Sequence, residues 1–129
     1  MDPSSANRNI SVIRMRDFLF VGMPADPDDS LIAALQDDVL KAMERHGSRA
    51  VLLDISLVET FDSFFARTVS ETAQMVNLMG GRTIIVGMRP AVAITATQIG
   101  LTLGKIETAL DVDRALSLAA TEPVPKLRR

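Results

Sequence analysis

AVLLDISLVETFDSFFAR, residues 50–67, decides how the rest of the chain is read. Ala50 to Ile55 is a short run with one polar side chain, Asp54, near its end. Such a run suits a strand covered on both faces. Residues 56–61 break the run and read as a loop. From Asp62-Ser63 the period changes to that of a helix reaching about Leu78. Phe65, Val69, Thr72, Val76 and Met79 recur every three or four residues and form one stripe. A buried strand that passes through a short loop into an amphipathic helix is half of a parallel crossover.

The flanks repeat this unit. Upstream, Leu31, Leu35, Val39 and Met43 predict a helix from Ser30, with Asp28 or Asp29 as its cap. His46-Gly47 closes it, the glycine suiting a left-handed C-terminal position. The loop PADPDD (24–29) separates that helix from two apolar runs, Ile10–Met15 and Phe18–Met23, which read as a hairpin turning at Arg16-Asp17. Downstream, Gly80-Gly81 ends the second helix and Thr83–Val86 is another buried strand. Gly87–Pro90 opens a helix through Ala91–Leu101. Ile106–Leu110 reads as a short last strand, and Val112–Ala119 as a last helix capped by Asp111.

The expectation is an α/β fold: one mixed sheet with an initial antiparallel hairpin and about four helices. A single domain spans 9–120, with flexible ends at 1–8 and 121–129.

Composition narrows the function. With 129 residues, 47% apolar and 23% charged, the chain is proportioned as one folded domain. Net charge is −2 and the 14 Lys and Arg are scattered, which argues against a nucleic-acid partner. There is no Cys and one His, so thiolate chemistry is excluded and a metal site is not expected. A Ser-His-Asp triad would have to use His46, whose place in a last helical turn reads as a dipole partner. No Gly-rich phosphate loop ends in Lys-Ser or Lys-Thr, and no bound cofactor is expected. The polar N-terminus and the absence of a long apolar stretch lead us to expect a cytoplasmic protein with no membrane association and no enzymatic activity.

Two readings stand for Ser63. In one, Ser63 or Asp62 simply caps the helix. In the other, Ser63 is a phosphorylation site whose phosphate meets the positive helix end and adds about −1.5 to −2 charges beside Asp62 and Glu59. A second stripe, Phe64, Thr68, Met75 and Leu78, is either buried or part of a partner surface next to Ser63. The expected partner-binding set is Glu59, Thr60, Asp62, Phe64 and Thr68.

DISLVETFDSF, the segment NLMGGRTIIVGMRPAVAITATQIG and IETALDVDRAL together resemble a STAS domain of the anti-sigma-factor antagonist family. More narrowly, they resemble the short stressosome scaffolds of the RsbS type. The resemblance runs from about Ile10 to Leu118. It implies a phospho-switched scaffold that sequesters a GHKL-type serine kinase and releases it when Ser63 is phosphorylated. It also implies a longer STAS co-scaffold with a sensory domain, a PPM-type phosphatase that resets the switch, and self-association, as a dimer when alone. A free antagonist binding an anti-sigma kinase one-to-one stands as an alternative. So does a small-molecule-binding module using the Gly87–Pro90 turn.

Overall fold

A computed structural model describes residues 11–99 and 106–121. Within them the strand and helix periods separate as the sequence predicts. The strands are β1 (Ser11–Met15), β2 (Phe18–Gly22), β3 (Ala50–Asp54), β4 (Arg82–Val86) and β5 (Ile106–Ala109). The helices are α1 (Asp29–His46), α2 (Ser63–Leu78), α3 (Pro90–Ile99) and α4 (Val112–Ala120). Ile10, the ends 1–9 and 122–129, and the expected last turn of α3 lie outside the described residues.

The strands lie in sequence order, β1-β2-β3-β4-β5. β1 and β2 are the expected antiparallel hairpin, with Met15 facing Phe18 across the turn. Arg16 takes the positive φ, 55°, that lets this turn close. The other neighbours are parallel. Successive crossovers of one hand, moving one way along a sheet, place their helices on one face. Accordingly α1, α2 and α3 share a core with Leu19, Val21, Val51, Leu53 and Ile85. α4 follows the last strand and covers the opposite face, where Ala115 and Ala119 meet Leu52, Ile84 and Val86.

The helix ends follow from local chemistry. Asp28, not Asp29, caps α1, its Oδ1 accepting from the Leu31 N–H at 2.8 Å. Gly47 is left-handed at φ 61° and closes α1. Asp111 caps α4 by accepting from the Arg114 N–H. Met79 departs from its expected buried stripe: α2 ends at Leu78, and the Met79 side chain is 45% exposed. Thr72 is buried because its hydroxyl is satisfied, donating to the Thr68 carbonyl and accepting from Gln36 of α1.

Thr121, expected in the flexible tail, is tied to the sheet. Its carbonyl accepts from Arg82 Nη1 at 2.7 Å. The same guanidinium makes two further bonds, to both carboxylate oxygens of Glu107 on β5, at 2.8 and 2.7 Å. A bidentate pair of this kind fixes geometry as well as charge, and it joins β4, β5 and the end of α4.

Two buried hydroxyls, on Ser48 and Thr83, are left without a hydrogen-bond partner among the described residues. Thr83 Oγ1 makes no hydrogen bond among the described residues and borders a cavity of about 10 Å³ also lined by Leu35, Val39, Val51, Leu53 and Val69. Thr83→Val removes the orphaned hydroxyl while keeping the shape. It should raise the unfolding free energy by about 1 kcal/mol, read as a higher urea midpoint at unchanged slope. A lower midpoint would show that the hydroxyl is satisfied in solution.

Candidate functional site

Gly22, Asp54, Val86 and Ala109 stand in register, so the four parallel strands end level. Each ladder then extends by one bond: Met23 N–H to Asp54 O, Ile55 N–H to Val86 O, and Gly87 N–H to Ala109 O. Loops 23–28, 55–62, 87–89 and 110–111 therefore gather at one edge of the sheet. This edge carries Ser63.

The loop after β3 is held at several points. Asp54 Oδ1 accepts from the Ser56 N–H at 2.9 Å, turning the chain out of the strand. Ile55, Val58 and Phe61 point into the core. The Glu59 N–H donates to the Ala25 carbonyl at 2.8 Å, tying this loop to the one before α1. Phe61 and Phe65 bring their rings to 5.0 Å, a tilted pair that locks the loop to the first turn of α2. With these anchors inside, Ser56, Leu57, Glu59 and Thr60 face outward.

The cap of α2 settles which of two adjacent residues is free. Asp62 is extended, at φ −115° and ψ −176°, and its Oδ1 accepts from the Phe65 N–H at 2.9 Å. Ser63 is the first helical residue. It is exposed, and its hydroxyl makes no hydrogen bond among the described residues. Capping is therefore the work of the aspartate, and the serine hydroxyl is left open to reagents.

Of the expected partner set, Glu59, Thr60 and Asp62 are exposed in the loop and cap before Ser63, and Phe64 is half-buried. Thr68 is not on that surface. It is buried at 7% exposure, because α1 packs along that side of α2. The rest of the second stripe divides likewise, with Met75 at 38% and Leu78 at 85% exposure near the far end of the helix. His46 ends α1. Since α1 and α2 run the same way, it lies at the opposite edge from Ser63 and forms no triad with it.

Sequence reasoning missed the role of the turn after β4. Gly87 has φ +74°, and a Cβ there would come within 2.8 Å of Ser56 Cβ. Arg89 Nε donates to the Ser56 carbonyl at 2.9 Å. The Gly-Met-Arg-Pro sequence weighed as a ligand turn thus packs against the chain's own serine loop. No helix among the described residues is long and apolar enough to cross a membrane.

A family model described as the STAS domain matches residues 10–115. The chain belongs to the STAS domain family. Among curated relatives it is 26% identical over 85 residues to the RsbT co-antagonist protein RsbRA of Bacillus subtilis strain 168. That match covers 66% of this chain and 31% of RsbRA, so the chain spans about a third of the relative's length. Among solved structures, a Ser-to-Glu variant of RsbS from Moorella thermoacetica aligns with a TM-score of 0.76 and 27% identity. The alignment covers 86% of this chain and 94% of that one. A chain from a structure of the stressosome, described as a signal integration and transduction hub, aligns at TM-score 0.71 and 27% identity, covering 84% and 95%. The expected mixed-sheet α/β fold and the likeness to RsbS-type stressosome STAS proteins both hold.

The contact between Gly87 and Ser56 makes a direct prediction. Gly87→Ala forces a Cβ into Ser56 and an L-residue into the left-handed region. It should cost about 2 kcal/mol and speed amide exchange at Val58 and Glu59. Hydrogen exchange read by mass spectrometry checks both, and unchanged exchange in 55–62 would mean that the turn does not hold the loop.

Proposed function

We propose that this chain is a non-enzymatic, phospho-switched scaffold of a stressosome-type complex. It sequesters a serine/threonine kinase and releases it when Ser63 is phosphorylated. The observation that carries this reading is the division of labour at the start of α2. Asp62 caps the helix by accepting from the Phe65 N–H, so the adjacent exposed hydroxyl is not needed as the cap. A phosphate on Ser63 meets the free N–H groups of the first turn, so modification leaves the fold intact.

The switch is then electrostatic. About −1.5 to −2 charges are added beside Glu59 and Asp62. A kinase surface fitted to Glu59, Thr60, Asp62 and Phe64 loses complementarity, and its dissociation quickens. The likeness to RsbS and to the co-antagonist RsbRA supports a longer STAS co-scaffold with a sensory domain as an assembly partner. The kinase is of the GHKL type and is opposed by a PPM-type phosphatase. Self-association, as a dimer when alone, and a cytoplasmic location complete the reading.

Incubation with the cognate kinase and ATP should place phosphate on Ser63. Peptide mapping by mass spectrometry decides this, and dominant modification of Thr60 or Ser56 would overturn the assignment. In pull-down and binding assays, Ser63→Ala should retain the kinase, while Ser63→Asp should bind it roughly tenfold more weakly. Loss of binding in a folded Ser63→Ala protein would instead make the hydroxyl a direct contact.

A further inference from the structure

Arg67 lies four residues after Ser63 on α2 and is exposed. Residues at this spacing are neighbours on a helix, and a pair with the acid on the N-terminal side is the favoured orientation. Two other surface cations show the rule. Lys41 pairs with Asp37, four residues before it, at 2.9 Å, and Arg114 pairs with Asp111, three before it, at 3.4 Å. Arg67 has no ion pair among the described residues. Glu71 follows it by four, in the less favoured orientation, and does not engage it. The position where Lys41 has an acid is filled, for Arg67, by Ser63.

We propose that Arg67 is the built-in partner of the phosphate on Ser63. In the unmodified chain the guanidinium has no ion-pair partner among the described residues. Phosphorylation places a dianion one turn away, toward the N-terminus, on the same exposed face. The planar fork of arginine matches phosphate oxygens in a bidentate pair, which a lysine ammonium cannot reproduce. The pair is needed because the surroundings are acidic. Glu59 and Asp62 lie in the loop before Ser63, Asp29 lies in the first turn of α1 at the same edge of the sheet, and Glu71 lies two turns along α2. Arg89 is already committed to the Ser56 carbonyl. Arg67 therefore offsets like-charge repulsion at the modified helix end and withdraws, on modification, the one cation that α2 presents next to Ser63.

This inference rests on Ser63 being the modified residue, and its test does not need the kinase. Phosphoserine is installed at position 63 during translation, and the phosphate is titrated by ³¹P NMR at low salt. A neighbouring cation favours the dianion, so removing it raises the second ionisation midpoint. Arg67→Gln should raise that midpoint by roughly 0.3 pH unit, Arg67→Lys by less, and added salt should shrink the difference. Because Arg67 is exposed, the variants should fold as the parent does, which the amide spectrum verifies. Equal midpoints in the parent and Arg67→Gln would overturn the pairing. So would a shift produced by Arg89→Gln in its place. Kinase mapping to a residue other than Ser63 would remove the parent reading without altering this titration. Equal midpoints with Ser63 correctly mapped would remove only the role of Arg67.

Discussion

Everything at the edge that carries Ser63 depends on β3 being paired in parallel on both sides and covered on both faces. Ala50, Val51, Leu52 and Leu53 are all buried, and each has a register partner on β2 and on β4. A strand in this position cannot be reached by a tight turn. It forces α1 and α2 to be crossovers on one face and leaves α4 to cover the other. It also makes the strand ends level, so that the loops after β2, β3 and β4 meet. The contact between Glu59 and Ala25, and that between Arg89 and Ser56, are consequences of that alignment.

The loop at this edge is anchored by apolar side chains and polar toward water. A buried loop would need every polar group paired, and this one is anchored by Ile55, Val58 and Phe61 while its polar residues face water. At its end, one carboxylate takes over the helix cap. A serine next to an aspartate that already caps is structurally idle, and an idle exposed hydroxyl at a helix start is suited to carrying charge without unfolding its support. Arg67, with no ion pair among the described residues, stands one turn along. The same arrangement with serine as the cap would make modification a threat to α2 itself, because the phosphate would replace the helix's own acceptor.

Much of this was legible in the residues. The alternation of buried runs with 3.6-residue periods gave the crossovers, Gly47 marked the end of α1, and Asp111 marked the start of α4, because caps and periods are local properties of a few adjacent residues. Asp62-Ser63 stood out for the same reason. Which residues of α2 stand exposed beside Ser63 was only partly legible. Phe64 and Thr68 have one spacing and one sequence context, yet α1 buries Thr68 and leaves Phe64 half open.

The sequence by itself determined the order and type of the elements and placed Ser63 at the start of a helix. Tertiary structure decided which of two good capping residues does the capping, which side of α2 is free, and what Gly87 and Arg89 are for. The cap is a contact across three residues, but the other two outcomes turn on groups far apart in the chain. Arg89 meets a carbonyl 33 residues away, and Arg82 meets Glu107 across 25 and Thr121 across 39. A local period records which face of an element is apolar. Only the packed sheet decides what that face, or its neighbour, comes to touch.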